Sequence, residues 1–239
     1  MNELNEGAFF QRLFDQMMDL WVRPEVERRR DRGDIEGKFS LLQAQVVFYP
    51  DERGVEVRLN DEVRISVIVN SKGDIFPSLC DEIDANAGHM TLMPKSSGWG
   101  ISFDFIYNRA HANKHLELAE EFLAVAKYAL RHELFGSLVE NLFAACELSA
   151  KSILLAHPDK ALQGKIRHGM ISARYNMQAK LGNVEQAHSA ALNKLASLRS
   201  KARYLNGEHG LNPERGAELL EVVREMIVQA RHYYGQVTE

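Results

Sequence analysis

The segment Arg199-Ser-Lys-Ala-Arg203-Tyr-Leu-Asn-Gly207-Glu-His209 sets an arginine and a histidine six positions apart, at the end of a predicted helix. A guanidinium offers a planar fork of donors and stays charged, which suits a phosphate and the charge that builds on it during reaction. An imidazole, with an ordinary pKa of about 6.5, takes up and releases a proton near neutral pH. Such a pair beside a helix end could bind and cleave RNA. It could equally be two ordinary surface residues. An arginine near a helix C-terminus gains roughly 0.3–1 kcal/mol from the macrodipole with no substrate at all, and a histidine in a Gly-containing loop is simply solvated.

Around the pair, Lys194, Arg199, Lys201 and Arg203 form a basic run with no acid until Glu208. It is the strongest local polyanion patch in a chain whose net charge of −4 gives no global case for nucleic acid or acidic membranes. Tyr204 could stack on a base, although Tyr204, Tyr233 and Tyr234 fit interhelix or dimer packing as well. His168, beside Lys165 and Arg167, opens another predicted helix, where backbone N–H groups could hold phosphate. Arg199, Lys201, Tyr204, His168 and Arg167 are therefore the expected substrate-binding residues. No metal or cofactor is expected. Cys80 and Cys146 are too far apart for a zinc motif, and Glu117, Glu120 and Glu121 make no Glu-x-x-His pairs. No phosphate-loop, nucleophile-elbow or His-Glu-x-x-His pattern occurs.

These residues need a scaffold, and hydrophobic periodicity supplies one of the α+β class. Phe9, Phe10, Leu13, Phe14, Met17, Met18, Leu20 and Trp21 recur at helical spacing over 6–22. Pro24 then reads as the start of a second short helix that Gly33 ends. Its Arg28-Arg29-Arg30-Asp31-Arg32 cluster is interleaved with acids and reads as a solvated face. From Phe39 the period is two, predicting strands over 41–49, 55–59, 63–69, 91–93 and 100–106, with 71–88 a loop containing at most a short helical turn. This small antiparallel sheet needs a cover for its apolar face, and the N-terminal helix could supply it. After Asn108, Gly and Pro punctuation separates five amphipathic helices, about 111–131, 135–156, 164–181, 184–205 and 213–234. Short connections make these an up-and-down bundle. Two domains are expected, 1–108 and 109–239. No stretch approaches the ~20 apolar residues of a spanning helix, and the N-terminus is acidic, so a soluble, cytoplasmic protein with no membrane partner is expected.

The run Glu140-Asn-Leu-Phe-Ala-Ala-Cys-Glu-Leu-Ser-Ala-Lys-Ser-Ile-Leu-Leu155, His168 opening the third helix and Ala202-Arg203-Tyr204 closing the fourth carry a likeness. With them the helical half resembles the HEPN superfamily, all-helical proteins of prokaryotic toxin and defence systems and of nucleotidyltransferase pairs. The likeness covers roughly 111–235. Many members are metal-independent endoribonucleases that use an arginine followed four to six residues later by a histidine. The resemblance thus implies Arg203 holding the scissile phosphate, His209 moving the proton, and a homodimer bringing two pairs into one groove. With 18 arginines and 9 histidines, chance alone yields about two such spacings. The chain has two, Arg203/His209 and Arg109/His115, and only position at a helix end favours the first. On an unbroken helix six residues are roughly 600° and ~9 Å apart, so the side chains diverge. Asn206-Gly207 can turn the chain so that His209 folds back. Members commonly follow the arginine with a small polar residue. Tyr204 departs from that, which bears on cleavage more than on fold. The implied function is RNA binding or endoribonuclease activity, in a toxin–antitoxin or defence setting. The alternative is a non-catalytic dimeric interaction module that binds a protein partner through its N-terminal domain.

Overall fold

The computed structural model describes residues 6–69, 75–78, 84–95, 98–162, 167–204 and 211–234. The chain divides into two compact units, Met1–Tyr107 and Asn108–Glu239.

The first unit opens with α1 (Glu6–Met17), a π-helical turn (Met18–Val22) and α2 (Arg23–Asp31), which run on without interruption. The expected break before Pro24 does not occur. Proline has no N–H, and its ring crowds the carbonyl four residues back, so a regular α-turn cannot pass through it. The chain widens there instead: the Arg23 N–H donates to the Met18 carbonyl, five residues back, and Pro24 falls in the first turn of α2. The strands are β1 (Ala44–Phe48), β2 (Val55–Leu59), β3 (Ser66–Val69), β4 (Ile75–Ser78), β5 (Gly88–Lys95) and β6 (Gly98–Asp104). They make a four-stranded antiparallel sheet in the order β2-β1-β5-β6 and a separate β3–β4 ribbon. Strand β4 lies inside the stretch expected to be a loop.

Alternation along the strands gives the sheet two different faces. Register places Val46 opposite Val57 on β2 and opposite Met90 on β5, and Leu92 opposite Ile101. These residues, with Ala44 and Leu59, pack against Leu13, Phe14, Met17, Met18, Trp21, Val22 and Val26 of the helix. The helix therefore covers the sheet, which could not hold its apolar face in water alone.

On the opposite face Gln45, Arg58, His89 and Thr91 are buried together with Asp84 and Tyr49. Arg58 is 4% exposed and Asp84 fully buried, yet every donor of the guanidinium is used. It donates to Asp84 at 2.5 and 3.0 Å, to Glu56 at 2.8 Å, to the Gln45 side-chain oxygen at 3.2 Å and to the Tyr49 hydroxyl at 2.9 Å. The Tyr49 hydroxyl in turn donates a hydrogen bond to Asp84 at 2.7 Å. Burial alone would raise the pKa of Asp84, but the bonds from Arg58 and Tyr49 outweigh it and hold the carboxyl below its usual range. Removing one member of a buried pair strands the other's charge, at a cost of about 3–5 kcal/mol, whereas removing both is far milder. Denaturant unfolding should therefore show Arg58→Leu losing about that much and the Arg58→Leu/Asp84→Leu double variant losing less. Equal losses in the two variants would refute this reading of the pair.

The second unit contains α3 (Arg109–Arg131), α4 (Phe135–Leu155), α5 (His168–Lys180), α6 (Gln186–Tyr204) and α7 (Pro213–Tyr233). Asn108, in left-handed conformation (φ 56°), caps the turn into α3, and its side-chain amide donates to the Leu155 carbonyl at 2.8 Å. This ties the start of α3 to the end of α4. At the head of α7 the Asn212 side chain accepts the Arg215 N–H at 2.9 Å, with Pro213 following it. Helix α4 is central and packs against α3, α5, α6 and α7. Gly216 lets α7 approach closely, since a Cβ there would meet Leu130 and Leu138 at 2.8 and 3.0 Å. The core between the helices includes Leu116, Leu123, Leu142, Cys146, Leu195, Val223 and Met226. This is the expected five-helix bundle. Among the described residues no helix is long and apolar enough to cross a membrane.

Candidate functional site

A helix with four neighbours has little surface left. Between Leu138 and Leu155, α4 is buried except at Glu140, Asn141, Ala144, Glu147, Leu148 and Lys151, which are only partly accessible. These recur every three to four residues and so make one stripe along the helix. Three of the six are charged, and the groups that answer them come from the flanking helices.

Arg199 of α6 donates from Nε to Glu140 at 3.0 Å, and its guanidinium carbon stands 4.5 Å above the centre of the Phe143 ring. His168, the first residue of α5, bonds through Nδ1 to Glu147 at 2.5 Å, and its ring meets Phe143 edge-on at 5.8 Å. One aromatic ring thus contacts both a guanidinium and an imidazole, each bonded to its own glutamate. The Glu147 side chain is 15% exposed and that of His168 66%, so the carboxylate is the anchor and the imidazole the accessible partner. Its Nδ1 is engaged, which leaves Nε2 for a second partner.

Farther along the stripe Lys151 faces α3. His111 and His115 are one turn apart there, with rings in edge contact at 4.7 Å, and His115 Nδ1 lies 2.9 Å from the His111 carbonyl. Burial lowers the pKa of both histidines, and the charge of Lys151 lowers them further, with Lys114 adding to the effect on His111. Lys151 is itself lowered by burial, against the opposing pull of Glu147. Among the described residues no cluster of histidine, cysteine, aspartate and glutamate could hold a metal ion.

Of the expected substrate-binding residues, the structure brings together Arg199 and His168. Arg167 is exposed at the N-cap of α5 and makes no side-chain cap. Lys201 is exposed, but it does not join Arg199. Two residues along a helix are roughly 200° around it, so Lys201 shares an outer face with Lys194, seven residues earlier, while Arg199 faces α4. The basic run is therefore two faces and not a single patch. Arg203 lies in α6 one turn beyond Arg199, but its side chain, that of Tyr204 and the whole of His209 lie outside the described residues. Sequence reasoning missed Glu140, Phe143, Glu147, Lys151, His111 and His115. The signal was present: charges at positions 140, 147 and 151 share one face of an otherwise apolar helix.

This geometry belongs to the bundle, and so does the family match. The family model of the HEPN domain matches residues 112–232, from the first turn of α3 to the last turn of α7. The chain belongs to the HEPN family. No curated protein matches it. The HEPN domain thus contains every residue of the α4 stripe, together with Arg199 and His168. His111 lies just before the matched segment.

Among the described residues, three histidines of the unit resist protonation. Besides His111 and His115, His188 is buried against Gln229 at 3.0 Å, and burial lowers its pKa. Above about pH 6.5 these rings are neutral in the folded and unfolded chain alike. As pH falls below that value the unfolded chain takes up protons that the fold resists, so stability is lost from there down to the depressed folded values. Thermal unfolding followed from about pH 7.5 to about pH 5 should show a falling Tm, with a shallower slope in His188→Gln. Identical slopes in the two proteins would contradict this assignment.

Proposed function

We propose that the protein acts on RNA as a HEPN endoribonuclease working as a homodimer, with Arg203 and His209 as the catalytic pair. The supporting observation is that Arg199 and His168 both contact Phe143, beside the partly accessible stripe of the HEPN domain's central helix. In this reading the 2′-hydroxyl attacks the adjacent phosphorus. The new 2′-O–P bond forms as the P–O5′ bond breaks, leaving a cyclic phosphate and a free 5′-hydroxyl. His209 carries the proton, and Arg203 meets the charge on the phosphorane. Arg199, Lys201, Tyr204, His168 and Arg167 contact the strand. The residues named require no metal ion for this chemistry, and no cofactor is invoked. A toxin or defence role follows from such an activity, in a cytoplasmic setting where RNA is available.

A second reading is a non-catalytic dimeric module for a protein partner. It draws on the first unit, where Phe103 and Phe105 stack at 6.0 Å on and just beyond the edge strand β6, each about half exposed. The two readings separate in one assay. Arg203→Ala and His209→Ala should each lower cleavage of single-stranded RNA by at least about 100-fold, with the circular dichroism spectrum unchanged. Wild-type protein that neither binds nor cuts RNA would end the first reading and favour the second.

A further inference from the structure

We propose that Lys151, His111 and His115 form a second anion subsite, which takes a phosphate group of the same strand that Arg199 and His168 contact. The inference rests on the RNA reading above and extends it to the opposite end of the α4 stripe.

Three observations carry it. The first is clustering against the trend of the chain. With a net charge of −4, this protein still gathers Lys151, His111, His115 and Lys114 where α3 meets α4. Lys151, His111 and His115 are part-buried, with Lys114 exposed beside them and the two imidazole rings in edge contact at 4.7 Å; bases of like sign held so repel one another and lose contact with water, which disfavours their charged forms. An anion seated among them reverses both effects. The second is orientation. His115 donates its Nδ1–H to the His111 carbonyl and His168 its Nδ1–H to Glu147, so in each ring Nε2 is the open nitrogen, which takes up a proton to donate to a phosphate oxygen as the anion binds. Glu147, the acid nearest Lys151 on the stripe, already has one oxygen on His168. The third is distance. From Glu140 to Lys151 is eleven residues of helix, roughly 16 Å, too far for one small anion to touch both ends. A ligand carrying phosphates at intervals along an extended backbone reaches both, and single-stranded RNA is such a ligand.

The test measures binding of a fluorescein-labelled oligouridylate to the full chain across a salt series. The variants are Lys151→Met, which keeps the length of the side chain without its charge, and Lys180→Met on the exposed end of α5 as control. Lys151→Met should weaken binding roughly fivefold and reduce the slope of log K against log salt by about 0.7, the loss of one phosphate contact, while Lys180→Met leaves both unchanged. If wild type and Lys151→Met bind equally, the subsite is refuted and the RNA reading survives. If wild type does not bind RNA, the RNA reading fails. Tripolyphosphate titration, read on the ring protons of His111 and His115, then decides the subsite alone: shifts saturating in wild type and absent in Lys151→Met support it, and unmoved rings overturn it.

Discussion

Everything at the candidate site depends on one packing constraint, that α4 touches four other helices and keeps a single stripe in reach of solvent. Charges cannot be placed elsewhere on such a helix without paying heavy desolvation. Glu140, Glu147 and Lys151 therefore fall on the stripe, and their partners have to come from the helices on either side. Arg199 and His168 answer the two glutamates, and His111 and His115 stand against the lysine. The same pairs that satisfy α4 also set how α5 and α6 present themselves to it. Phe143, itself buried, contacts both the Arg199 guanidinium and the His168 ring.

The sheet unit handles buried charge in the opposite way. Its Arg58–Asp84 pair is closed, with each donor and acceptor met from within. A saturated network of that kind fixes a fold and has no bonding capacity left for a ligand. On the α4 stripe, His168 remains mostly exposed, and His168 and His115 each keep a ring nitrogen that bonds nothing within their own pair. That contrast is the physical reason for placing function on the bundle.

The helices of the bundle were legible because their apolar residues recur at helical spacing and Gly or Pro stands at each break. The ends of α3, α4 and α7 lie within two residues of expectation, while α5 starts four residues later, at His168. Helix α1 was legible for the same reason, but its continuation past Pro24 was not, because a π-turn leaves no mark in the hydrophobic pattern. Strand β4 was hidden by the acidic residues around it. The basic run at 194–203 spans two faces of α6, since the helix turns Lys201 away from Arg199. Glu140, Glu147 and Lys151 could have been placed on one face from their spacing, but their partners on α3, α5 and α6 are long-range and carry no local signature. The pair that the family resemblance and the helix end pointed to, Arg203 and His209, falls outside the described side chains.

The most direct measurement is nuclear magnetic resonance mapping of a short oligouridylate onto the full isotope-labelled chain. Perturbation is expected at Glu140, Glu147, Lys151, His168 and Arg199, with the sheet residues Ala44–Phe48 and Val55–Leu59 unmoved. Perturbation confined to the sheet unit, or to the outer face of α6 around Lys194 and Lys201, would contradict it.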